Sequence, residues 1–394
     1  MTLVNAPSSS LISPRPTLTR TNGSLDATLR EVDALLDQVV TDLGALWATG
    51  EGSYGDQQPV DVLGAEDLPQ QLQRLLVAGG KRIRPAMCHW GWVSAGGADA
   101  AGGPASPGPA PSSPTEPSTV VQVAAALELL HVFALIHDDV MDESESRRGQ
   151  PTVHVRASQL HQLACAHGDD RRFGESMAIL VGDLAHSEAD HLVSGLPAPL
   201  RHIWRFLVIE LVAGQRRDIT GSAAGRRDMP HARQVARMKS GAYTVERPLQ
   251  LGATAAGAEG AVLDALQTYG RHVGEAFALR DDILGVWGDP GLTGKPAGDD
   301  LVAGKPTVIV ALADQRLKGA DRVLLDLIGS PDLTQGHVAV LQHSIAESGV
   351  LDAVESMITA ELDAALAVLD DRLLDPAGVA GLTDLAHQIA WRNR

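Results

Sequence analysis

The chain has 394 residues, of which 44% are hydrophobic, and a formal net charge of −17 at pH 7. That length allows one large domain or two ordinary ones, and the negative charge disfavours a nucleic-acid partner because the surface would repel phosphates. The two cysteines, Cys88 and Cys165, provide no disulfide framework and fit a reducing compartment. We therefore expect a cytoplasmic protein whose local basic clusters bind a small anion.

Residues 1–23 are rich in Pro and Ser and contain no apolar signal core, which predicts a disordered lead-in. From Ser24 onward, apolar residues recur at helical spacing in nearly every segment, and no period-two strand of useful length is present. The predicted helices cover about 25–46, 66–77, 82–95, 119–144, 152–167, 174–194, 199–217, 231–256, 260–287, 305–328, 335–347 and 351–372. This pattern predicts an all-α fold.

No uncharged apolar run reaches the roughly 18 residues that a membrane span needs. The longest candidate, 120–136, is interrupted by Gln122, Glu128 and His131. We therefore expect no transmembrane segment.

Residues 95–118 are rich in Gly, Ala, Pro and Ser and carry too little apolar surface to order themselves. This segment could be a linker between domains or a mobile loop within one domain. The helices on either side each carry part of one predicted anion site, which favours the loop. We therefore expect a single domain over 24–394.

A basic cluster with the sequence Gly-Gly-Lys-Arg-Ile-Arg-Pro occupies residues 79–85. The glycines would end the preceding helix, and Lys81 and Arg84 would share one face of the next helical turn. The cluster could be a solvated helix start or a cradle for a diphosphate, with one cation for each phosphoryl group.

The first acidic cluster, Asp138, Asp139 and Asp142, follows the most apolar predicted helix and precedes Arg147 and Arg148. On a helix, Asp138 and Asp142 lie on one face. Carboxylates this close repel one another unless a cation lies among them, and hard divalent metals prefer oxygen ligands. An acidic helix end is the plainer interpretation, but the apolar helix and the arginine pair favour a metal site.

The second acidic cluster, Asp281 and Asp282, also follows an apolar helical segment and has Arg280 before it and Lys295 after it. Two carboxylate clusters with basic neighbours would hold a metal ion and a ligand that carries much negative charge of its own. This combination favours diphosphate chemistry.

The ordered set of motifs resembles the trans-isoprenyl diphosphate synthases, also called polyprenyl synthetases. The shared motifs are the basic cluster at 79–85, His-Asp-Asp-Val-Met-Asp at 137–142, Arg-Arg-Gly-Gln-Pro-Thr-Val-His at 147–154, Gly-Asp-Leu at 182–184, and Asp-Asp-Ile-Leu-Gly at 281–285 with Gly-Lys at 294–295. The resemblance covers about residues 25 to 390. It implies an isoprenoid-synthase fold, a helical bundle around a deep central cavity, and head-to-tail condensation of an allylic diphosphate with isopentenyl diphosphate.

The resemblance also assigns roles to individual residues. Three Mg²⁺ ions are implied: Asp138 and Asp142 would hold two, supported by Asp139, and Asp281, beside Asp282, would hold the third. The residues implied to bind isopentenyl diphosphate are Lys81, Arg84, His131 and Arg148. Those implied to grip the allylic diphosphate are Arg147, Lys239 and Lys295. Ser240, where the family usually has Thr, would lie beside the developing carbocation.

Two positions depart from the family pattern. Ala278 stands where the family usually has Gln, and Gly285 replaces the third Asp of the second acidic motif. Asp299 and Asp300 are near enough in sequence to compensate. These departures put the third metal site in question and leave open a weakly active or regulatory subunit.

The helix before Asp138 is expected to form a wall of the substrate pocket. At a rise of 1.5 Å per residue, Phe133 lies about 7.5 Å and Leu130 about 12 Å below Asp138. Phe133 could act as the floor for the growing chain, with space beside it at Ala134, or it could pack against a neighbouring helix. In the family this pattern is typical of geranylgeranyl diphosphate synthases, so we expect that product, with farnesyl diphosphate as the alternative.

The sequence also allows two other functions. A terpene cyclase shares the fold but typically lacks the basic cluster at 79–85, and a silent partner subunit would explain Ala278. Gln215 and Asp218 could contact metal-bound solvent or pair with neighbours, and His137 is expected in a supporting role. The family also implies a homodimer.

Overall fold

The computed structural model describes residues 24–51, 62–97, 117–147, 149–293 and 297–392. The predicted lead-in at 1–23, most of the predicted loop at 95–118, Arg148 and Lys295 lie outside the described residues. Nearly all regular structure in the described ranges is helical, which confirms the expected all-α fold.

Long helices dominate the first half of the chain. In order they are α1 (Leu25–Glu51), α2 (Leu68–Val77), α3 (Ile83–Ser94), α4 (Pro117–Met141), α5 (Val153–Leu163), α6 (Asp170–Ser194) and α7 (Ala198–Ala223), with a 3₁₀ turn at Gly64–Glu66. Aspartate caps start two of them: the Asp67 side chain accepts a hydrogen bond from the Leu68 amide, and the Asp169 side chain accepts one from the Arg172 amide.

The second half contains shorter helices around one long one. In order they are α8 (Met229–Val235), a π-helix (Ala236–Glu246), α9 (Arg247–Ala255), α10 (Ala261–Trp287), α11 (Pro290–Thr293), α12 (Asp299–Val302), α13 (Val308–Arg316), α14 (Gly319–Leu325), α15 (Gln335–Glu347), α16 (Val350–Leu366) and α17 (Pro376–Ala390).

A small hairpin joins α4 to α5. Its strands, β1 (Ser146–Arg147) and β2 (Gln150–Pro151), pair antiparallel, and Gly149 in the turn has φ = 73°. That conformation costs glycine little. The hairpin turns Arg147 back toward the end of α4.

The α4 helix lies at the centre of the first half, where it packs against α1, α3 and α6. Within Thr119–Met141 it is long and apolar enough to cross a membrane, but 67% of its most apolar window is buried inside the protein. A helix that is apolar on all sides belongs in a core when other helices surround it. The aspartates at its carboxyl end therefore lie at the rim of a buried surface, as predicted.

The prediction of one continuous helix over 231–256 is wrong, because this segment is divided into α8, the π-helix and α9. The π-helix lies very close to its neighbours. A first side-chain carbon on Gly214 of α7 would lie 2.7 Å from the Lys239 amide nitrogen, and one on Gly241 would lie 2.7 Å from the Gly274 carbonyl oxygen of α10. Glycines on both sides thus let this segment enter between two long helices.

Two further differences arise near the carboxyl end. The helix predicted over 305–328 is broken into α13 and α14, because the chain is extended at Lys318 and Gly319 has φ = 60°. The α17 helix was not predicted. Its buried face includes Gly378 and Gly381, which pack tightly against α3 and give no strong apolar period.

The buried residues form two large hydrophobic clusters. One is built mainly from α1 to α7 and the other mainly from α10, α13, α15, α16 and α17. The first acidic cluster ends α4 in the first of these, and the second lies on α10 in the other. The candidate site therefore lies where the two halves of the core meet.

Candidate active site

Each aspartate of the first cluster is paired with a cation from a different part of the chain. Asp138 Oδ1 lies 3.0 Å from Lys239 Nζ, and Asp142 Oδ2 lies 2.7 Å from Lys305 Nζ. The Asp142 amide donates to the Asp138 carbonyl at 2.8 Å, so helical spacing persists to Asp142 although α4 ends at Met141. The predicted shared face is confirmed.

Lys239, on the π-helix, bridges two carboxylates. Its Nζ donates to Asp218 Oδ2 at 2.5 Å as well as contacting Asp138, and Gln215 Nε2 donates to Asp138 Oδ1 at 3.0 Å. Burial raises the pKa of Asp138, but the ammonium groups of Lys239 and Lys305 outweigh that effect and lower it overall. Gln215 and Asp218, whose roles the sequence left open, thus pair with neighbours in this arrangement. Ser240 lies beside Lys239 and is half-buried.

Lys305 was missed by the sequence prediction, which placed it in a helix. Its Nζ lies between Asp142, at 2.7 Å, and Asp300, at 3.8 Å. Burial lowers the pKa of Lys305, but the carboxylates of Asp300, Asp142 and Asp138 raise it well above its usual range. A single ammonium group therefore links the first acidic cluster to the chain segment that follows the second.

Arg147 forms a two-pronged ion pair with Asp139. Its Nε lies 2.8 Å from Oδ2 and its Nη2 lies 2.5 Å from Oδ1. The Asp139 carboxylate is buried, and such planar pairing favours arginine over lysine. Asp139 thus pairs with Arg147 in this structure, and the metal-supporting role implied for it stays a prediction.

The second acidic cluster differs in its surroundings. The Asp281 carboxylate is 48% exposed and accepts a hydrogen bond from Arg392, near the carboxyl end of the chain. Asp282 is more enclosed and accepts a hydrogen bond from the Val308 amide at 2.9 Å. Burial, and then the Asp300 carboxylate, raise the pKa of Asp282 well above its usual range.

Asp300 lies in the space that a side chain at position 285 would occupy. The first carbon of any such side chain would collide with the Asp300 carboxylate. Gly285 therefore leaves room for a carboxylate that arrives from α12, as the sequence suggested for this region.

The donor chemistry of the site fits Mg²⁺, because its side chains offer carboxylate oxygens from two acidic clusters. In the part of the chain that the structure describes, however, no three potential ligand residues converge tightly enough to enclose an ion. Lysine and arginine side chains lie among the carboxylates instead. The site is thus a network of opposite charges in which cations already balance the first cluster.

The basic cluster is arranged differently from the prediction. The α3 helix begins at Ile83, and Arg82 before it has φ = 49°, so Lys81 lies outside the helix and does not share a helical face with Arg84. Arg82 pairs with Glu128 and with Asp33 and therefore has a structural role.

Arg84 is buried against the π-helix. Its Nη2 donates to the Thr244 hydroxyl at 2.8 Å, and its guanidinium carbon lies 4.1 Å from the centre of the Tyr243 ring. The Tyr243 hydroxyl in turn lies 2.6 Å from His131 Nδ1. Arg84 and His131, two of the four residues implied to bind isopentenyl diphosphate, thus share one aromatic partner, which the sequence did not reveal.

A cavity of about 670 Å³ lies beside these groups, between α2, α4 and the hairpin. Its apolar wall includes Leu75, Val132 and Leu135, and its polar residues include His131, Asp139, Arg147 and Arg156. The cavity is large enough for a small organic ligand.

Phe133 packs against α6. Its ring centre lies 4.6 Å from that of His137 and 4.8 Å from that of His186. Leu130 is fully buried and Ala134 is half-buried. His137 is also supported by the Ile179 carbonyl, 3.2 Å from its Nε2, which agrees with the supporting role expected for it.

Comparison with known proteins identifies the family. The polyprenyl synthetase family model matches residues 65–345. Relatives include a geranylfarnesyl diphosphate synthase from Aeropyrum pernix, 33% identical over 72% of this chain and 80% of that protein. A (2E,6E)-farnesyl diphosphate synthase from Mycobacterium tuberculosis is 31% identical over 79% of this chain and 80% of that protein.

Among solved structures, a geranylgeranyl pyrophosphate synthase from Corynebacterium glutamicum, complexed with isoprenyl diphosphate and magnesium, is 34% identical. It superimposes with a TM-score of 0.82 and covers 94% of this chain and 100% of that chain. The helical fold, the two acidic clusters and these matches lead to one conclusion: the chain belongs to the polyprenyl synthetase family of prenyltransferases.

Proposed function

We propose that the protein condenses an allylic diphosphate with isopentenyl diphosphate head to tail and releases diphosphate. The observation that carries this proposal is the position of Lys305 between Asp142 and Asp300. That ammonium group connects the first acidic cluster to Asp300, whose carboxylate acts electrostatically on Asp282 of the second cluster. A diphosphate with its metal ions would meet carboxylates and ammonium groups there.

The leaving group is the part of the substrate that this charged network would stabilise. Asp138, Asp142 and Asp281 would hold Mg²⁺, which supplies Lewis-acid stabilisation of the departing diphosphate when bound. Lys239, Lys305 and Arg147 would offer their N–H donors to the diphosphate oxygens from the positions that their carboxylate partners fix. Their charges are held in place by burial and oppose charge that grows as the C–O bond breaks, so they lower the barrier.

The acceptor substrate, isopentenyl diphosphate, would lie on the basic side of the site, which is formed by Lys81, Arg84 and His131. These residues would bind its diphosphate, which directs its double bond toward the allylic carbon. Arg148 and Lys295 keep the implied roles as predictions, since both lie outside the described residues. Apolar side chains around the reacting carbons would exclude water, and Ser240 would lie beside the carbocation.

We propose geranylgeranyl diphosphate as the product, with farnesyl diphosphate as the alternative. Phe133 supports this proposal, because it is a bulky side chain five residues before Asp138 on α4, about 7.5 Å along the helix. Its contacts with His137 and His186 also fit simple packing against α6. Product analysis of Phe133→Ala distinguishes these two roles. Longer products would support Phe133 as the floor of the substrate pocket, and an unchanged product length would leave it only a packing role against α6.

The function itself is tested by incubating the pure protein with Mg²⁺, isopentenyl diphosphate and each allylic primer in turn. Elongated diphosphates support the proposed reaction. Hydrocarbon products would instead indicate a cyclase. Product only after addition of a partner synthase would indicate the regulatory subunit that Ala278 leaves open.

We also propose a homodimer in the cytoplasm. The pairing face would be formed by large apolar side chains that α6 and α7 leave exposed: Ile179, Leu180, Phe206, Ile209 and Val212. Such surfaces on a soluble chain often mark contacts with another chain. Analytical ultracentrifugation of the Ile209→Glu variant tests this face. A variant that remains dimeric would exclude the face as the dimer interface.

The proposed compartment is supported by the two cysteines. Both are free thiols, which fits a reducing environment.

A further inference from the structure

Tyr243 is a buried aromatic residue on the π-helix and is only 5% exposed. It contacts α3 through Arg84 and α4 through His131. Those two helices each contribute one residue to the basic side of the site. Among the described residues, Tyr243 therefore connects Arg84 and His131 to the π-helix, which also carries Lys239 and Ser240.

The ring of Tyr243 fixes Arg84 from one side. The guanidinium carbon lies 4.1 Å from the ring centre, within the range of a cation–π interaction. The neighbouring Thr244 hydroxyl accepts a hydrogen bond from Arg84 Nη2 at 2.8 Å. Arg84 is itself only 8% exposed, so these two contacts select one orientation of a long side chain that has many alternatives in water.

The hydroxyl of Tyr243 fixes His131. Its oxygen lies 2.6 Å from His131 Nδ1, a short hydrogen bond for this pair. Burial raises the pKa of Tyr243, so the phenol keeps its proton at neutral pH. A phenol that donates to Nδ1 leaves the ring proton of a neutral His131 on Nε2, where it can donate to an anion.

We propose that Tyr243 is a positioning residue for isopentenyl diphosphate: its ring orients Arg84 and its hydroxyl orients His131, so that both donate to the same diphosphate. This inference rests on the proposed function, because it takes the basic side of the site as the acceptor subsite. Tyr243 acts through its two partners and touches no reacting atom. It therefore sets affinity for the acceptor and leaves affinity for the allylic substrate to Lys239, Lys305 and Arg147.

A second buried tyrosine offers a matched control. Tyr269 on α10 is fully buried, and its hydroxyl donates to the Leu382 carbonyl at 2.7 Å, in the core of the second half. Tyr269→Phe and Tyr243→Phe each delete one hydroxyl that is hydrogen-bonded in the interior. A merely structural hydroxyl would give the same result at both positions.

The experiment compares steady-state kinetics of the full chain and its variants with isopentenyl diphosphate and an allylic primer, together with calorimetric titration of isopentenyl diphosphate. We expect Tyr243→Phe to raise the KM and Kd for isopentenyl diphosphate about three- to tenfold, with an unchanged KM for the primer. Tyr243→Leu, which also removes the ring from Arg84, should raise them further. Tyr269→Phe should lower the melting temperature and change neither constant.

Thr244→Val provides a second route if either Tyr243 variant folds poorly, because it releases only Arg84 and should weaken isopentenyl diphosphate binding by itself. Equal effects on both substrates, or the same KM shift in Tyr269→Phe, would overturn the positioning role. A wild-type protein that joins no prenyl units would instead refute the proposed function. If the wild-type protein also failed to bind isopentenyl diphosphate, the positioning role of Tyr243 would be refuted as well.

Discussion

The two acidic clusters of this protein achieve opposite electrostatic states with the same side chain. In the first, Asp138 and Asp142 each lie within 3.0 Å of a lysine nitrogen, and the pKa of Asp138 is lowered despite its burial. In the second, burial and then the carboxylate of Asp300, which follows the cluster in sequence, raise the pKa of Asp282. Nearby cations therefore prevail over burial at Asp138, whereas burial and a neighbouring carboxylate prevail at Asp282.

This difference has a chemical consequence. Charges held at fixed positions by the protein stabilise a developing anion without reorganising solvent. Lys239 and Lys305 are fixed in this way, because they are buried among carboxylates that hold their protons on. A substrate with bound cations would satisfy both clusters at once: it offers phosphate oxygens to the lysines and positive charge to Asp281 and Asp282.

The largest effect is expected at Asp138. Asp138→Ala removes a carboxylate from the proposed metal site and leaves Lys239 with only Asp218. Prenyl-transfer kcat should fall at least about 10³-fold, in line with losses from removing preorganised electrostatic groups. The rate of product formation with labelled isopentenyl diphosphate measures this. Asp384→Ala, on the exposed face of α17, is the control and should retain full activity.

Lys305→Gln should have the next largest effect. The change removes the ammonium group that contacts both Asp142 and Asp300, so the two clusters lose their shared counter-ion. We expect a loss in kcat of roughly 10- to 100-fold and a higher KM for the allylic primer, because one charge-assisted contact to diphosphate disappears. Lys318→Gln, at an exposed lysine, should change neither value. Equal kinetics for the two variants would show that Lys305 has no role in the reaction.

A smaller effect is expected at Gly285. Gly285→Ala would place a methyl group where the Asp300 carboxylate lies, so that carboxylate must shift from its present position. Because the displaced group is the end of a side chain, stability should change by less than about 1 kcal/mol, while activity at limiting Mg²⁺ should fall several-fold. Gly44→Ala is the matched control, because nothing lies within 4 Å of its new carbon. Unaltered Mg²⁺ dependence in Gly285→Ala would exclude Asp300 from the second cluster.

The smallest expected effect is on stability without metal. Because the pKa of Asp282 is raised on folding, its proton stabilises the native state below the unfolded pKa. That stabilisation is lost as pH rises through the higher native pKa. In EDTA, the free energy of unfolding of the wild type should therefore fall over this range, by up to about 1.4 kcal/mol per pH unit for one group. The Asp282→Asn variant should lack the part of this pH dependence that Asp282 causes. Urea denaturation at a series of pH values measures the free energy of unfolding of both proteins. The same pH dependence in both would contradict a raised pKa for Asp282.

Local patterns in the sequence predicted the first cluster well. Four-residue spacing on an apolar helix is enough to place Asp138 and Asp142 on one face, and the structure confirms it. Lys305 was missed because Asp142 is distant from it in sequence and becomes its neighbour only through the fold. The shared helical face of Lys81 and Arg84 was wrong because Arg82 adopts a left-handed conformation that only the fold imposes.

The π-helix gave no sequence signal for a similar reason. Its register follows from close backbone contact with Gly214 and Gly274, which are glycines on two other helices. Tyr243 therefore resembled an ordinary apolar position in the sequence, although the fold brings it to Arg84 and His131. Family resemblance supplied the roles of Lys239 and Ser240, which periodicity alone could not assign.

The most direct test follows isopentenyl diphosphate incorporation into an allylic primer while Mg²⁺ is removed by EDTA and then restored. If the two carboxylate clusters work through a divalent cation, incorporation should cease on chelation, return with added Mg²⁺, and yield diphosphates longer than the primer. Undiminished incorporation in excess EDTA would contradict the account.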